Sequence, residues 1–409
     1  MGQYEGPYFY HQFGYGDGER CYEMLQNGYG HGVILSPQKL KDHLLTRWSS
    51  KYANLKNVHL LIDPEFYAPS DIPHNRQVSS RVDTTRALAD NQLSNVIVKD
   101  YLDRQHILNA TEFIIPGIAA GSIDNQWLET LTLLCRAGRS WLESNASGHP
   151  VFATLAISHD IVANASSRRS VLNRLVGLDV DGYYLAVELK NDTLPSDENF
   201  IVGLLDLIYR LKINGKKVLL SRSDYWAVLC FPFGLDRFAS GARQDSRKFK
   251  VTKFRPDLSE KPPYIPFRRP VIMWSSKLMG GVRFPDDAAL LYEQGIWQEL
   301  DNQSPYAKLF DGTPPTEIAE SKNFKEGDSF QNYAWQMWNT AQQFQTQSPL
   351  ERIELVRDQL SHALSWHSTR QQRGISYNNG INASHLRSWL SGFNTYLTQV
   401  QDELLSEFS

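Results

Sequence analysis

Short, unbroken runs of aliphatic, aromatic and β-branched residues recur along this 409-residue chain, each closed by a polar turn and followed by a stretch of helical character. The runs are GVILS (Gly32 to Ser36), VHLLID (Val58 to Asp63), EFIIPG (Glu112 to Gly117), VFATLAIS (Val151 to Ser158), GYYLAVEL (Gly182 to Leu189), KVLLS (Lys217 to Ser221), LDRFASG (Leu235 to Gly241) and VIMWSS (Val271 to Ser276). They do not alternate polar and apolar residues, so each reads as a strand covered on both faces, the signature of a parallel sheet. The intervening segments read as helices: PQKLKDHLLTRW after Ser36, NQWLETLTLLCRAGRSWLE after Asp124, SSRRSVLNRLVGL after Ala165, and DENFIVGLLDLIYRLKI after Ser196, its expected N-cap. Eight strand-helix units predict an α/β fold, a (β/α)8 TIM barrel, with an open doubly wound sheet as the alternative.

The boundaries follow from where this cadence is absent. Residues 1–30 are rich in Gly and Tyr without a clean period and read as an irregular N-terminal segment. The barrel is expected over residues 31–301, and a mainly helical C-terminal region over 302–409. There, Ser348, Pro349 and Glu351 spell a capped helix start. The stripe Leu386, Trp389, Leu390, Phe393, Leu397, Val400 and Leu404 on the last helix, Ala383 to Ser406, is expected to pack on the barrel.

Composition narrows the function. Forty-two basic against 45 acidic residues give a formal charge of −3, against a dedicated polyanion binder. A 41% hydrophobic content and a mean hydropathy of −0.42 exclude both a disordered chain and a membrane protein. Cys21, Cys135 and Cys230 are too dispersed for a disulfide framework or a Cys-rich zinc site. Eleven scattered His and no phosphate-loop, dinucleotide or nucleophile-elbow motif leave no metal and no cofactor expected. The start of the chain does not read as a secretion signal, so a cytoplasmic location is expected.

In a barrel, ligands bind where the strands end. Asp63, Ser158, Glu188, Ser221 and Arg222 stand at such ends, a ring of acceptors and hydroxyls suited to a small polar ligand bearing N–H groups. Glu188 interrupts an apolar run and Asp63 closes one against Pro64, so these two carboxylates are the leading candidates for acid/base work or for accepting the N–H groups of a guanine-like base. Their replacement by Ala is expected to abolish binding and leave folding nearly intact. From Arg243 to Arg269 nine basic residues face three acidic ones, net +6, interleaved with aromatics. Arg243, Arg247, Lys248, Lys250 and Lys253 are candidates for a polyanion or partner surface, with a solvated Pro-rich excursion equally open.

The stretch Gly215 to Phe249, with GLDRFAS at Gly234 to Ser240, resembles the segment of tRNA-guanine transglycosylases that leads through the family's G-[IV]-D-M-F-D-C motif. DGYYLAVEL, VFATLAIS and LLIDPEFY, Leu60 to Tyr67, resemble upstream strands of that family, so the likeness covers roughly residues 30 to 250. It implies a base-binding mouth in which Asp63 matches the general-acid Asp of the family's D-S-G-G; with the strand-end reading, the candidate ligand-binding residues are Asp63, Tyr67, Ser158, Glu188, Ser221 and Arg222. It also implies lost chemistry. The family's nucleophilic Asp falls on Ala239, its base-reading Asp near Pro116 and Gly117, its paired glycines on Ala186 and Val187, and its zinc motif is absent.

A degenerate, zinc-free barrel of this kind is similar to the transglycosylase-like accessory protein of type IV CBASS anti-phage operons. That likeness implies a non-catalytic factor that binds a 7-deazaguanine-type base or its protein partners, a QueC-like enzyme and a CD-NTase, with nucleic acid not favoured and no membrane. The alternatives are an active base-exchange transglycosylase or other nucleic-acid-modifying enzyme with catalytic carboxylates relocated to Asp63, Glu188 or Asp236, and an unrelated barrel hydrolase or lyase.

Overall fold

A computed structural model describes residues 6–14, 17–37, 40–68, 91–190, 194–243, 246–254, 273–282, 291, 293, 304–306, 326–372 and 383–408. Eight strands, β1 (Tyr8–Gln12), β2 (Gly32–Leu35), β3 (His59–Ile62), β4 (Phe113–Ile115), β5 (Val151–Ser158), β6 (Gly182–Glu188), β7 (Lys217–Leu220) and β8 (Arg237–Ser240), form one parallel sheet. Their order is β3-β2-β1-β8-β7-β6-β5-β4, a nearly closed barrel in which β1 pairs with both β2 and β8. The outer layer comprises α1 (Gly18–Gln26), α2 (Asp42–Ala53), α3 (Asn91–Ile107), α4 (Asn125–Asn145), α5 (His159–Ala163), α6 (Ala165–Leu175) and α7 (Glu198–Ile213). After β8 come the hairpin strands β9 (Met273–Ser275) and β10 (Gly280–Val282) and the helices α8 (Glu326–Gln345), α9 (Pro349–Gln372) and α10 (Ser384–Phe408).

Local chemistry explains these elements. Asp124 begins α4 by accepting the Trp127 N–H at 2.7 Å, and Asp197, one residue beyond the expected Ser196, begins α7 by accepting the Asn199 N–H at 2.9 Å. At α9 the Ser348 N–H donates to Glu351 Oε2 at 2.7 Å and the Glu351 N–H to Ser348 Oγ at 3.3 Å, the reciprocal box its sequence predicts.

The barrel starts earlier than expected. Tyr8–Gln12, within the stretch read as irregular, is β1, and α1 follows it. The run counted as the eighth strand lies outside the barrel, where Met273–Ser275 pairs antiparallel with Gly280–Val282. The seam between β3 and β4 is bridged by Thr111, whose N–H donates to the Leu60 carbonyl and whose Oγ1 accepts the Leu60 N–H, both at 2.9 Å. The edge of β4 at this seam is satisfied by the Gln105 amide of α3, which accepts the Ile114 N–H at 2.8 Å and donates to the Ile114 carbonyl at 2.7 Å.

The C-terminal region belongs in part to the barrel. Helix α8 packs on β1 and α1, and its Tyr333 hydroxyl lies 2.7 Å from Ser240 Oγ at the end of β8, so α8 fills the position of the eighth outer helix. Between β7 and β8 the chain forms an apolar 3-10 segment, Tyr225–Phe233, buried at every residue. An all-apolar segment cannot be an outer layer, and α9 and α10 cover it. The expected stripe of α10 packs against α7 and this segment, buried except at the partly exposed Leu390, with the Trp389 indole donating to the Pro195 carbonyl at 2.7 Å. The expected boundary at residues 301–302 falls outside the described residues.

Candidate functional site

At the C-terminal mouth, β3 ends where Pro64 removes a backbone donor, leaving Asp63 facing inward two residues after Leu61. Two residues around this mouth hold left-handed backbone: Glu65 at φ 53° and Arg222 at φ 48°, a conformation uncommon outside glycine. They pair with each other, Arg222 Nη2 to Glu65 Oε1 at 3.0 Å. The second hydrogen of Nη2 goes to Asp63 Oδ2, also at 3.0 Å.

Asp63 is completely buried, and four donors converge on it. The Tyr67 hydroxyl spans its oxygens at 2.8 and 2.9 Å, the Tyr184 hydroxyl donates at 3.0 Å, and the Glu65 N–H at 2.9 Å joins Arg222. A carboxylate offers about four acceptor positions, so this one is filled by its own chain. Ser36 Oγ donates to Glu65. Burial raises the Tyr67 and Tyr184 hydroxyls well above the ordinary range, and the Asp63 charge adds to this. Burial alone would lower the Arg222 guanidinium; the Asp63 and Glu65 carboxylates override it and hold its affinity for the proton above the usual value.

An aromatic roof covers the cluster. Phe249 and Phe254 meet Tyr67 edge-on at 4.7 and 4.6 Å between centroids, and the Arg222 guanidinium lies 5.2 Å from the Phe254 ring. The roof is tied down by Glu188, whose Oε1 accepts the Val251 N–H at 3.1 Å. Ala156, Ala186 and Ala239 share the barrel interior with these rings.

Of the sequence-derived ligand residues, Asp63, Tyr67 and Arg222 come together. Glu188 is half-buried and holds the roof. Ser221 Oγ donates to the Leu185 carbonyl at 3.1 Å. Ser158 caps α5, accepting the Ile161 N–H at 3.4 Å and donating to the Gly121 carbonyl at 3.3 Å. Asp236 lies at the opposite end of the barrel, paired with Lys212 and accepting the Val218 N–H at 2.9 Å, which removes it from any site at the mouth. That lower end is closed by Glu112 between Arg237 and His59; despite burial, hydrogen bonding and charge from both partners hold the Glu112 carboxyl below its usual range.

Of the basic residues expected at a surface, Arg247 is buried. It is 4% exposed, donates to the Gly241 and Ala242 carbonyls at 2.9 and 2.7 Å, and lies 3.2 Å from the Tyr333 ring centroid, so it holds α8 to the barrel. Arg243 faces Asp17 at 3.9 Å, and it, Lys248, Lys250 and Lys253 are half-buried. Arg255, Lys261, Arg268 and Arg269 lie outside the described residues.

Sequence reasoning missed Tyr184, Ser36 and Gln12. Gln12 ends β1 facing inward, on the face of Tyr10 and opposite Ile34. It is 1% exposed, and neither its Oε1 nor its Nε2 has a partner; the Tyr10 hydroxyl and Arg222 Nε are likewise buried and unpartnered. An unpaired buried polar group costs on the order of 1–3 kcal/mol. Among the described residues there is no group of three His, Cys, Asp or Glu placed to hold a metal ion, and no helix long and apolar enough to cross a membrane. The three thiols are buried, which raises each; that of Cys135 is pushed up to about 12.

No protein-family model and no curated protein matches the chain. Among solved structures it is similar to a glycoside hydrolase family 3 β-N-acetylglucosaminidase from Paenibacillus sp. str. FPU-7, with 15% identity over 60% of this chain and 55% of that one and a TM-score of 0.37. It is also similar to a glucosidase from Croceicoccus marinus, 12% identical over 54% and 55% with a TM-score of 0.32. An enolase from the environmental genome shotgun sequencing of the Sargasso Sea is 9% identical over 58% and 54%, with a TM-score of 0.31. The chain thus spans about half the length of each. Likenesses this weak carry no argument about function; the barrel rests on its own strand pairing.

Proposed function

We propose that this chain is a non-catalytic barrel that binds a guanine-like or 7-deazaguanine-type base at its C-terminal mouth. The observation that carries the reading is the filled coordination of Asp63: it is paired with Arg222, which it shares with Glu65, and its acceptor positions are taken by Tyr67, Tyr184, Arg222 and the Glu65 N–H. A carboxylate so occupied has no lone pair in position to attack or to take a proton. Ala239, which the transglycosylase resemblance sets at the nucleophile position, presents a methyl group inside the barrel and supports the same reading. The unpaired polar groups at the mouth and in the interior below it, under an aromatic roof, suit a flat polar ligand. Relocated chemistry loses one carboxylate because Asp236 lies at the far end, and Glu188 holds the roof. The resemblance further supports an accessory role in anti-phage defence of the CBASS type, beside a QueC-like enzyme and a CD-NTase.

Calorimetric titration of the full chain with guanine, 7-deazaguanine bases and tRNA tests this proposal. Saturable micromolar binding of a base, with no comparable binding of tRNA, is expected. A chain that binds no base in the panel contradicts the reading.

A further inference from the structure

We propose that Gln12 reads the lactam edge, the adjacent C=O and N–H, of a neutral heterocyclic base held in the barrel; this rests on the base-binding reading above. A glutamine amide presents an acceptor and a donor side by side, and a cyclic –CO–NH– edge presents their complement in the same plane. Gln12 is placed for that role by register: it ends β1 facing inward, opposite Ile34 of β2, and its backbone carbonyl sits beside Gly241 at the end of β8. Ile34 is apolar and Gly241 has no side chain, so neither neighbour offers the amide a side-chain partner, and both of its polar atoms stand buried without one.

The surrounding groups define the ligand further. Arg222 at the mouth adds an unpartnered Nε–H that suits a ring nitrogen or a second carbonyl. Gln12 is neutral, and the two carboxylates at the mouth already share Arg222. A neutral heterocycle therefore fits the interior better than an anion, which would bring an unpaired charge. The rings of Tyr67, Phe249 and Phe254 pack together over the same interior.

The test titrates the full chain with guanine, hypoxanthine and 2-aminopurine, the last of which lacks the lactam carbonyl. Guanine and hypoxanthine are expected to bind at least tenfold more tightly than 2-aminopurine. Gln12→Met, similar in shape but without the amide, is expected to unfold at the same or a higher temperature than the wild type. It should bind guanine at least tenfold more weakly and lose the lactam preference. Failure of the wild type to bind any purine would overturn the base-binding reading itself. Wild-type binding of guanine with no preference over 2-aminopurine, or unchanged guanine affinity in Gln12→Met, would overturn the role of Gln12 alone. So would a Met variant less stable than the wild type, since an amide with no partner leaves no bond to lose.

Discussion

Arg222 keeps its charge while buried because one terminal nitrogen faces two carboxylates. That makes Asp63 part of the fold, so the expectation that it can be removed with folding nearly intact does not survive. Removing one partner of such a buried pair typically costs about 3–5 kcal/mol, and Asp63→Ala should lower stability by that order in urea denaturation. Replacing both partners with apolar residues, Asp63→Leu with Arg222→Met, should lose less than the sum of the single changes; additive losses would contradict the network. Asp63 was legible in the sequence because Pro64 ends its strand in a way no buried strand continues. Tyr184 was not: all of β6 is apolar or aromatic down to Glu188, so no period of two separates inward from outward residues. Gln12 was hidden by its setting in a segment that reads as irregular.

At the level of elements, the middle of the barrel was legible because its strands are aliphatic runs and its helices carry caps such as Asp124. The first strand, YFYHQ, is aromatic and polar, lies beside glycines, and is fixed between β2, which follows across α1, and β8, which is distant in sequence. Its identity as a strand is therefore set by tertiary pairing. The same holds for Met273–Ser275, whose strand character is real and whose place outside the barrel depends on pairing with β10. The apolar 3-10 segment has no amphipathic pattern, so only packing reveals that α9 and α10 must cover it. Trp389→Ala in that cover should destabilise the chain by about 3–5 kcal/mol; a loss below 1 kcal/mol would show that α10 is dispensable to the core.

For the molecule as a whole, buried histidines set an acid limit. Burial lowers His11 and His31 to about 4 each from an ordinary value of 6.5. Below 6.5 the unfolded chain takes up protons that the folded chain refuses, so their contribution is complete above that pH and is lost as pH falls from about 6.5 toward 4. His11 alone accounts for about 3 kcal/mol of that loss, and His11→Gln should flatten the decline in urea midpoint between pH 7 and 4.5; an unchanged decline would place the acid sensitivity elsewhere. The proposal that the mouth holds a base and does not exchange it rests on a buried carboxylate occupied by the chain itself. The most direct measurement incubates the chain with isotopically labelled guanine and tRNA, at a base concentration that fills the site, and counts label in the recovered RNA. The account predicts none, with the bound base released unchanged. Label in the RNA, lost on Asp63→Asn, would contradict it.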